Sequence, residues 1–229
     1  MNGVILNLPA MDVFGQMAAD EAVALTAPRD FTVRFFDWSG GGVTFGYAQT
    51  VSEVEKTLPP GTGTNYTRRP TGGGVVPHFS DLTFSCVFPD GGILRPGELY
   101  RRLHGAINAG LALRGFGVAL YSGAADYAPV GADGASRCFE KPVEQDIMSG
   151  GSKILGGAIR RFGETVLYQG SLQLADARPR AKELELIILR ALAAEWDLKW
   201  SHNSADERIM GEIARLREKY ISADWIRKI

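Results

Sequence analysis

Cysteine is almost missing from this sequence: Cys86 and Cys138 are the two in 229 residues. Two cysteines cannot build a disulfide framework, and these lack the paired spacing of zinc ligands, so no metal site is expected. Long apolar runs are missing too. None approaches the roughly 20 residues that a membrane-spanning helix needs, and the opening Met1-Asn2-Gly3-Val4 lacks the charged-then-apolar pattern of a secretory signal. A cytoplasmic protein with no membrane contact is expected. Net charge is nearly absent, because 25 Lys and Arg face 26 Asp and Glu. Such a balance gives no global attraction to nucleic acid, which is not expected as a partner. Repeats, low-complexity tracts and linkers are also lacking, so residues 1–229 are expected to form a single domain. Its composition, 45% hydrophobic and 22% charged, is ordinary for one globular core.

Glycine is plentiful, and one glycine-rich stretch stands out: Arg68-Arg69-Pro70-Thr71-Gly72-Gly73-Gly74-Val75-Val76-Pro77-His78, continuing through Asp81-Leu82-Thr83-Phe84-Ser85. Consecutive glycines give up side-chain contacts and carry a high backbone entropy cost, so they fit where a backbone must approach something closely or turn as a Cβ forbids. The two arginines and the Thr71 hydroxyl place cationic forks and donors beside exposed N–H groups, a setting suited to anionic or strongly polar groups. A plain glycine hairpin loop is the alternative. Flanking β-prone runs, Thr64–Thr67 and Leu82–Phe88, hold the loop between strands.

Along the chain, Val4–Leu8 forms a strand, and Met11–Leu25 carries apolar residues at 14, 17, 18, 22 and 25 on one side of a helix. Phe31–Trp38 and Val43–Tyr47 are two strands expected to meet around the Ser39–Gly42 turn. Pro96 opens a helix with Leu99, Leu103, Ala106, Ile107 and Leu111 on its apolar face, closed by Gly115 and read as scaffold. After the strand Phe116–Tyr121, Ser122–Glu140 is a loop long enough to suggest function or disorder. Strands resume at Gln145–Met148, Ser152–Arg161 and Val166–Leu174, with glycine turns that predict antiparallel pairing. Arg180–Lys199 and Asp206–Lys228 are expected to be helices, so 180–229 is read as a helical C-terminal extension. The pattern predicts an α+β fold: a mixed, mostly antiparallel central sheet flanked by helices.

Three side chains could carry chemistry. Lys153, just past a Gly-Gly turn and ahead of Gly156-Gly157, could reach over a glycine-lined surface, or be a solvated strand-edge residue. Cys138, next to Arg137, is either a nucleophile favoured as thiolate or a packing residue. Cys86 lies in an apolar run and is assigned to the core. His78 could donate, act as a base, or be structural.

Three motifs in order then become recognisable: the stretch from Arg68 to Ser85, Gly151-Ser152-Lys153-Ile154-Leu155-Gly156-Gly157-Ala158-Ile159-Arg160-Arg161, and Tyr168-Gln169-Gly170-Ser171-Leu172. Together they resemble the lipoate–protein ligase and octanoyltransferase family, related to biotin–protein ligases, over Met11 to Leu174. The resemblance implies the biotin/lipoate protein ligase catalytic-domain fold. It also implies that the glycine loop borders an acyl or acyl-adenylate pocket, involving Arg69, Thr71, Gly72, Gly73, Gly74 and His78. Lys153 would contact the acyl carbonyl, where an ammonium stabilises developing negative charge. Val75 and Leu155 would floor a narrow apolar slot, with Gly156 and Gly157 beside it. Pro77, Ser80-Asp81 and Ala158-Ile159 depart from the usual family pattern.

Cys138-Phe139-Glu140-Lys141-Pro142, followed by Asp146 and Lys153, resembles the loop of Bacillus-type octanoyltransferases, whose cysteine forms an acyl thioester. The 55 residues after Leu174 are too few for the accessory domain usual in ATP-dependent lipoate ligases. An acyltransferase is therefore expected, moving an octanoyl or lipoyl group from an acyl-carrier protein through Cys138 onto a lysine of a lipoyl-carrier domain. The acceptor would be a glycine cleavage H protein or a 2-oxoacid dehydrogenase E2, and no cofactor would be needed. The alternatives are a lipoate ligase using ATP and Mg, and a noncatalytic module that binds lipoyl domains or nucleotide.

Overall fold

Leu82-Thr83-Phe84-Ser85-Cys86-Val87-Phe88 is apolar or small throughout, as a strand covered on both faces requires. In the computed structural model, which describes residues 1–26, 28–123 and 142–228, it is the middle of a large sheet. The elements in chain order are β1 (Asn2–Asn7), α1 (Val13–Leu25), β2 (Phe31–Phe35), β3 (Val43–Phe45), α2 (Val51–Glu55), β4 (Tyr66–Arg68), β5 (Val76–Pro77) and β6 (Leu82–Pro89). They continue as α3 (Pro96–Ala112), β7 (Val118–Leu120), β8 (Ile147–Ser149), β9 (Ser152–Phe162), β10 (Thr165–Leu172), α4 (Ala181–Trp196), β11 (Lys199–Ser204), α5 (Glu207–Ile221) and α6 (Ala223–Ile226).

The eight-stranded sheet runs β11-β1-β2-β6-β10-β9-β8-β7. Its β1–β11 and β1–β2 pairs are parallel and the others antiparallel, as a mixed, mostly antiparallel sheet requires. Gly150, Gly151 and Gly163 all have positive φ and make the turns into and out of β9, so the expected hairpins form. On one face, α3 and α4 bury Leu99, Leu103, Ile107, Leu184 and Ile188 against Phe31, Phe84 and Phe88. Phe31 stacks on Phe88 with centroids 4.6 Å apart. On the other face lie α1 and α5, joined through Met17, Ala18, Ile213 and Leu216. No helix among the described residues is long and apolar enough to cross a membrane.

Three expectations need correction. The α1 helix is not one-sided. Leu25 is 48% exposed, while Gln16, Asp20 and Glu21 are buried, because α1 is wedged between the sheet and α5. Its polar residues are therefore held in the interior and must be paired. Nor do β2 and β3 form a hairpin. Ser39–Gly42 carries the chain out of the large sheet into a second, three-stranded sheet of order β4-β3-β5. A Cβ on Gly42 would stand 2.8 Å from Val13 Cβ, so this crossing passes tightly over the start of α1. The segment from 180 onward is not a purely helical extension either. Asp197, at φ 49, ends α4 in the left-handed region, and Lys199–Ser204 then pairs in parallel along Asn2–Asn7. This polar strand lacks an apolar signature because it lies at an exposed edge, held largely through backbone hydrogen bonds.

Arg68 explains how the C-terminal helices join the glycine stretch. It is fully buried, its guanidinium donating to the carbonyls of Tyr47 (2.5 Å), Gln49 (2.7 Å), Trp225 (3.2 Å) and Ile226 (2.9 Å). Trp225 Nε1 donates back to the Arg68 carbonyl at 2.8 Å. An ammonium cannot reproduce this planar fork. Arg68→Lys is expected to lose at least about 2 kcal/mol of stability, since several charge-assisted bonds go at once, read as a lower midpoint in urea. An unchanged midpoint would show that the clamp contributes nothing.

Candidate functional site

The glycine stretch spans 69–75 between β4 and β5, which both pair with β3, in parallel and antiparallel respectively. The loop therefore crosses one end of β3, and its shape comes from its own contacts. Arg69 Nε and Nη2 donate to the Gly72 carbonyl at 3.0 and 2.5 Å, and Nη1 to Thr44 Oγ1 at 3.3 Å. Gly73 has φ +89, in the region glycine tolerates best. Its carbonyl lies so close to Gly46 that a Cβ there would stand 1.8 Å away. Thr71 Oγ1 donates to Gln169 Oε1 (2.6 Å), and Gln169 Nε2 donates to Asp20 Oδ2 (2.6 Å). Asp20 Oδ1 also receives Arg34 Nε and Ser85 Oγ, each at 2.6 Å. The two loop arginines thus shape and anchor the loop. The expectation of two cationic forks aimed at an anion is corrected: Arg68 points away into the C-terminal helices.

Beside the loop a narrow cleft opens over β9 and β10, lined by residues including Thr44, Arg69, Val76, His78, Gly156, Gly157 and Ser171. Val75 and Leu155, expected as its floor, lie elsewhere. Val75 packs with Val43, Phe45, Val51 and Val54 under the small sheet, and Leu155 belongs to the main core. Strand neighbours point to opposite faces, so Val76 and Gly156 take the cleft positions. Gly72 and Gly73 are exposed and do not line the cleft, whereas Thr71 and Gly74 are buried.

His78 is buried at the cleft wall and stacks on Trp38, with centroids 4.7 Å apart. Its Nδ1 lies 2.8 Å from Asp81 Oδ2, and its Nε2 lies 2.9 Å from Thr44 Oγ1. Thr83 and Ser171 also donate to Asp81 Oδ2, at 2.6 and 2.7 Å. Burial pushes the Asp81 carboxyl up, but the His78 imidazole and these hydroxyls more than offset it and hold it below its usual value. An ionised Asp81 makes Nδ1 the N–H of His78.

Lys153 is no solvated edge residue. Its strand, β9, lies between β10 and β8, and its side chain is buried with Nζ 2.8 Å from Asp146 Oδ2. A Cβ on Gly156 would stand 2.3 Å from Lys153 Cε and 2.6 Å from Nζ, so the missing side chain is what admits the ammonium to the edge of the cleft. Gly157 has a different duty. A Cβ there would meet the Tyr168 ring at 2.3 Å, and Tyr168 is fully buried.

Tyr168 Oη lies 2.8 Å from His104 Nε2, and His104 Nδ1 lies 2.9 Å from the Gln145 carbonyl. Tyr100 Oη donates to Asp146 Oδ1 at 2.5 Å. Sequence reasoning missed Tyr100, His104, Gln169 and Thr44 as site residues and treated α3 as scaffold. The available signal was a Tyr and a His four apart, next to Leu99 and Leu103 on the buried face. Cys138 lies outside the described residues, as does most of the Ser122–Glu140 loop. Cys86 is core as expected, and burial pushes its thiol well up.

Residues 12–195 match the lipoyl protein ligase A/B catalytic domain. The chain belongs to that family. It is 34% identical to the octanoyltransferase LipM of Symbiobacterium thermophilum over 167 residues, which cover 69% of this chain and 60% of that protein. It is 28% identical to the LipM of Moorella thermoacetica over 98% of this chain and 97% of the relative. The chain thus spans about three fifths of the first relative's length and nearly all of the second's. Among solved structures, a lipoate protein ligase-like protein of T. acidophilum with bound lipoic acid superposes with a TM-score of 0.78 at 19% identity, over all of both chains. Lipoate-protein ligase A bound with ATP gives 0.75 at 20% identity, over 99% of each. These likenesses bear out the expected lipoate ligase catalytic fold.

Two expectations follow from this geometry. Gly157→Ala should destabilise by about 1–3 kcal/mol, as overpacking against a fixed ring does. Gly156→Ala should cost less than about 1 kcal/mol, because the end of a lysine moves aside more easily than a buried ring. Urea unfolding of both variants checks the order, and a reversed order would contradict it. Burial pushes the His104 imidazole down to about 3. The unfolded chain takes up this proton near pH 6.5 and the folded one does not. Folding stability is therefore complete above about pH 6.5 and falls by up to about 1.4 kcal/mol per pH unit below it, until pH nears the folded value. His104→Gln should show a shallower loss of melting temperature between about pH 6.5 and 4 than the parent protein.

Proposed function

We propose that the chain is a single-domain cytoplasmic acyltransferase that moves an octanoyl or lipoyl group from a carrier thioester onto a lysine of a lipoyl-carrier domain. The observation that carries this reading is the Lys153 ammonium, buried against Asp146 and admitted to the cleft edge by Gly156. Membership of the family and the likeness to octanoyltransferases support it. In the first step the Cys138 thiolate adds to the thioester carbonyl of an acyl-carrier protein. The tetrahedral oxyanion collapses, and the carrier leaves as a thiolate that takes up a proton. In the second step the acceptor lysine amine adds to the acyl-enzyme carbonyl, loses a proton and expels the Cys138 thiolate. Covalent catalysis divides one difficult transfer into two easier ones. Lys153 stabilises both oxyanions.

The loop and cleft take the acyl chain, with Thr44, Arg69, Val76 and His78 on the wall. Thr71 and Gly72 to Gly74 act through the shape of the loop. An H protein or an E2 lipoyl domain is the acceptor. The ATP-dependent reading finds less support in the described residues, because Arg68 and Arg69 both spend donors on carbonyls within the fold.

The test is intact mass after incubation with octanoyl-carrier thioester and no ATP. An octanoyl adduct is expected on the parent protein and on Cys86→Ser, and turnover should be lost in Cys138→Ser, whose hydroxyl is far less ionised than a thiol. Lys153→Ala should fold and transfer about 10²–10³-fold more slowly. Undiminished lipoylation by Cys138→Ser from free lipoate, ATP and magnesium would instead establish the ligase reaction.

A further inference from the structure

A polar cluster surrounds the Lys153–Asp146 pair. Asp146 is fully buried and bound by three donors. Its Oδ2 receives Lys153 Nζ at 2.8 Å and the Val143 N–H at 2.7 Å, and its Oδ1 receives Tyr100 Oη at 2.5 Å. Tyr100 Oη accepts in turn from the N–H of Gly157, the residue next to Gly156. The Tyr100 ring stacks on His104, with centroids 3.9 Å apart. The backbone that delivers Asp146 is itself held in a disfavoured shape. Gln145 has φ 74, one of two positive values outside glycine among the described residues, in a region that a side chain makes costly. Its carbonyl is bonded by His104 Nδ1, and its N–H donates to the Tyr121 carbonyl at 2.8 Å. Strain of this kind persists only where surroundings overdetermine it.

We propose that Asp146 is the positioning residue for Lys153, holding its ammonium at the Gly156 edge of the cleft, with Tyr100 and His104 holding Asp146 in turn. The inference rests on Lys153 acting at the acyl carbonyl. A four-carbon stem has many rotamers, and a misplaced oxyanion donor loses most of its effect. A carboxylate bound by three donors fixes the direction of the ammonium. Asp146 is fully buried and does not line the cleft, so its effect passes through Lys153. The ammonium of this pair ends beside Gly156, which lines the cleft.

The experiment measures kcat and KM against pH for transfer from octanoyl-carrier thioester to a lipoyl domain. It uses the parent protein, Asp146→Asn, Tyr100→Phe and Lys153→Ala, with a thermal melt for each. Among the described residues the titratable groups facing the pair are Tyr100 and His104 from α3 and Tyr168 from β10. His104 stays neutral, and burial pushes the Tyr100 phenol well up, so neither changes charge between about pH 5 and 9.

Asp146→Asn is expected to lower kcat about 10- to 100-fold with little change in KM. Tyr100→Phe should lower kcat less, again with little change in KM. If Asp146→Asn does not fold, Tyr100→Phe decides alone. A loss confined to KM, or a fall in kcat that only tracks a fall in melting temperature, overturns the inference, since a merely structural role gives that pattern. A parent protein that transfers nothing, or a Lys153→Ala variant as active as the parent, brings down the acyl-transfer reading of Lys153 and the inference with it. An active parent, a slow Lys153→Ala and an unaltered Asp146→Asn remove the inference only.

Discussion

Space left by absent side chains governs the arrangement around β9 and β10. A Cβ at Gly156 would collide with the end of Lys153, and a Cβ at Gly157 or Gly170 with the Tyr168 ring. Gly157 and Gly170 are paired across the two strands, so the ring lies over a patch bare on both sides. Tyr168 then reaches His104, His104 reaches the Gln145 carbonyl, and Asp146 follows in the chain. Because Gly156 and Gly157 are neighbours, their missing Cβ atoms would point to opposite sides of the strand, one meeting the lysine and the other the ring. One pair of adjacent glycines thereby serves both the cleft and the core.

Electrostatics explains why so many polar groups tolerate the interior. Asp20, Asp81 and Asp146 are all buried, and each meets a nitrogen-bearing partner: Arg34, His78 and Lys153 respectively. A buried charge without a partner is far more costly than a surface one, whereas a paired, hydrogen-bonded group is tolerated at a near-neutral balance. These pairs are therefore poor explanations of stability and better explanations of geometry. Each has one end near the cleft or the loop: Asp20 through Gln169 and Thr71, Asp81 through His78, and Asp146 through Lys153. A net charge of −1 conceals this local order completely.

Much of the frame was legible in the sequence. The apolar run of β6 and the glycine turns around β9 carry local signals, and the hairpins follow from them. The misreadings share a cause, which is that the deciding contact lies far away in sequence. Val75 and Val76 have the same chemistry, and only the register of β5 on β3 decides which faces the cleft. The strand Lys199–Ser204 has no apolar signature because its partner is the distant backbone of β1. Arg68 and Arg69 are adjacent and identical, yet one is drawn to carbonyls more than 150 positions later and the other to a carbonyl three positions on. The polar face of α1 needed Arg34 and Gln169 to explain it. Lys153 was legible as a candidate because its glycine neighbours are local.

The same contacts fix the shape of the glycine loop. A run of glycines left to itself samples many conformations, and ordering it on binding would cost affinity. Here the chain supplies the order in advance. Arg69 closes a short ring onto the Gly72 carbonyl, Gly46 lets the Gly73 carbonyl settle at a distance that any side chain would prevent, and Thr71 is moored through Gln169 to the buried Asp20. These restraints act on the carbonyls and the hydroxyl, which leaves the glycine positions without bulk. The loop can thus be fixed in shape and still be closely approached, and binding energy need not be spent on arranging it.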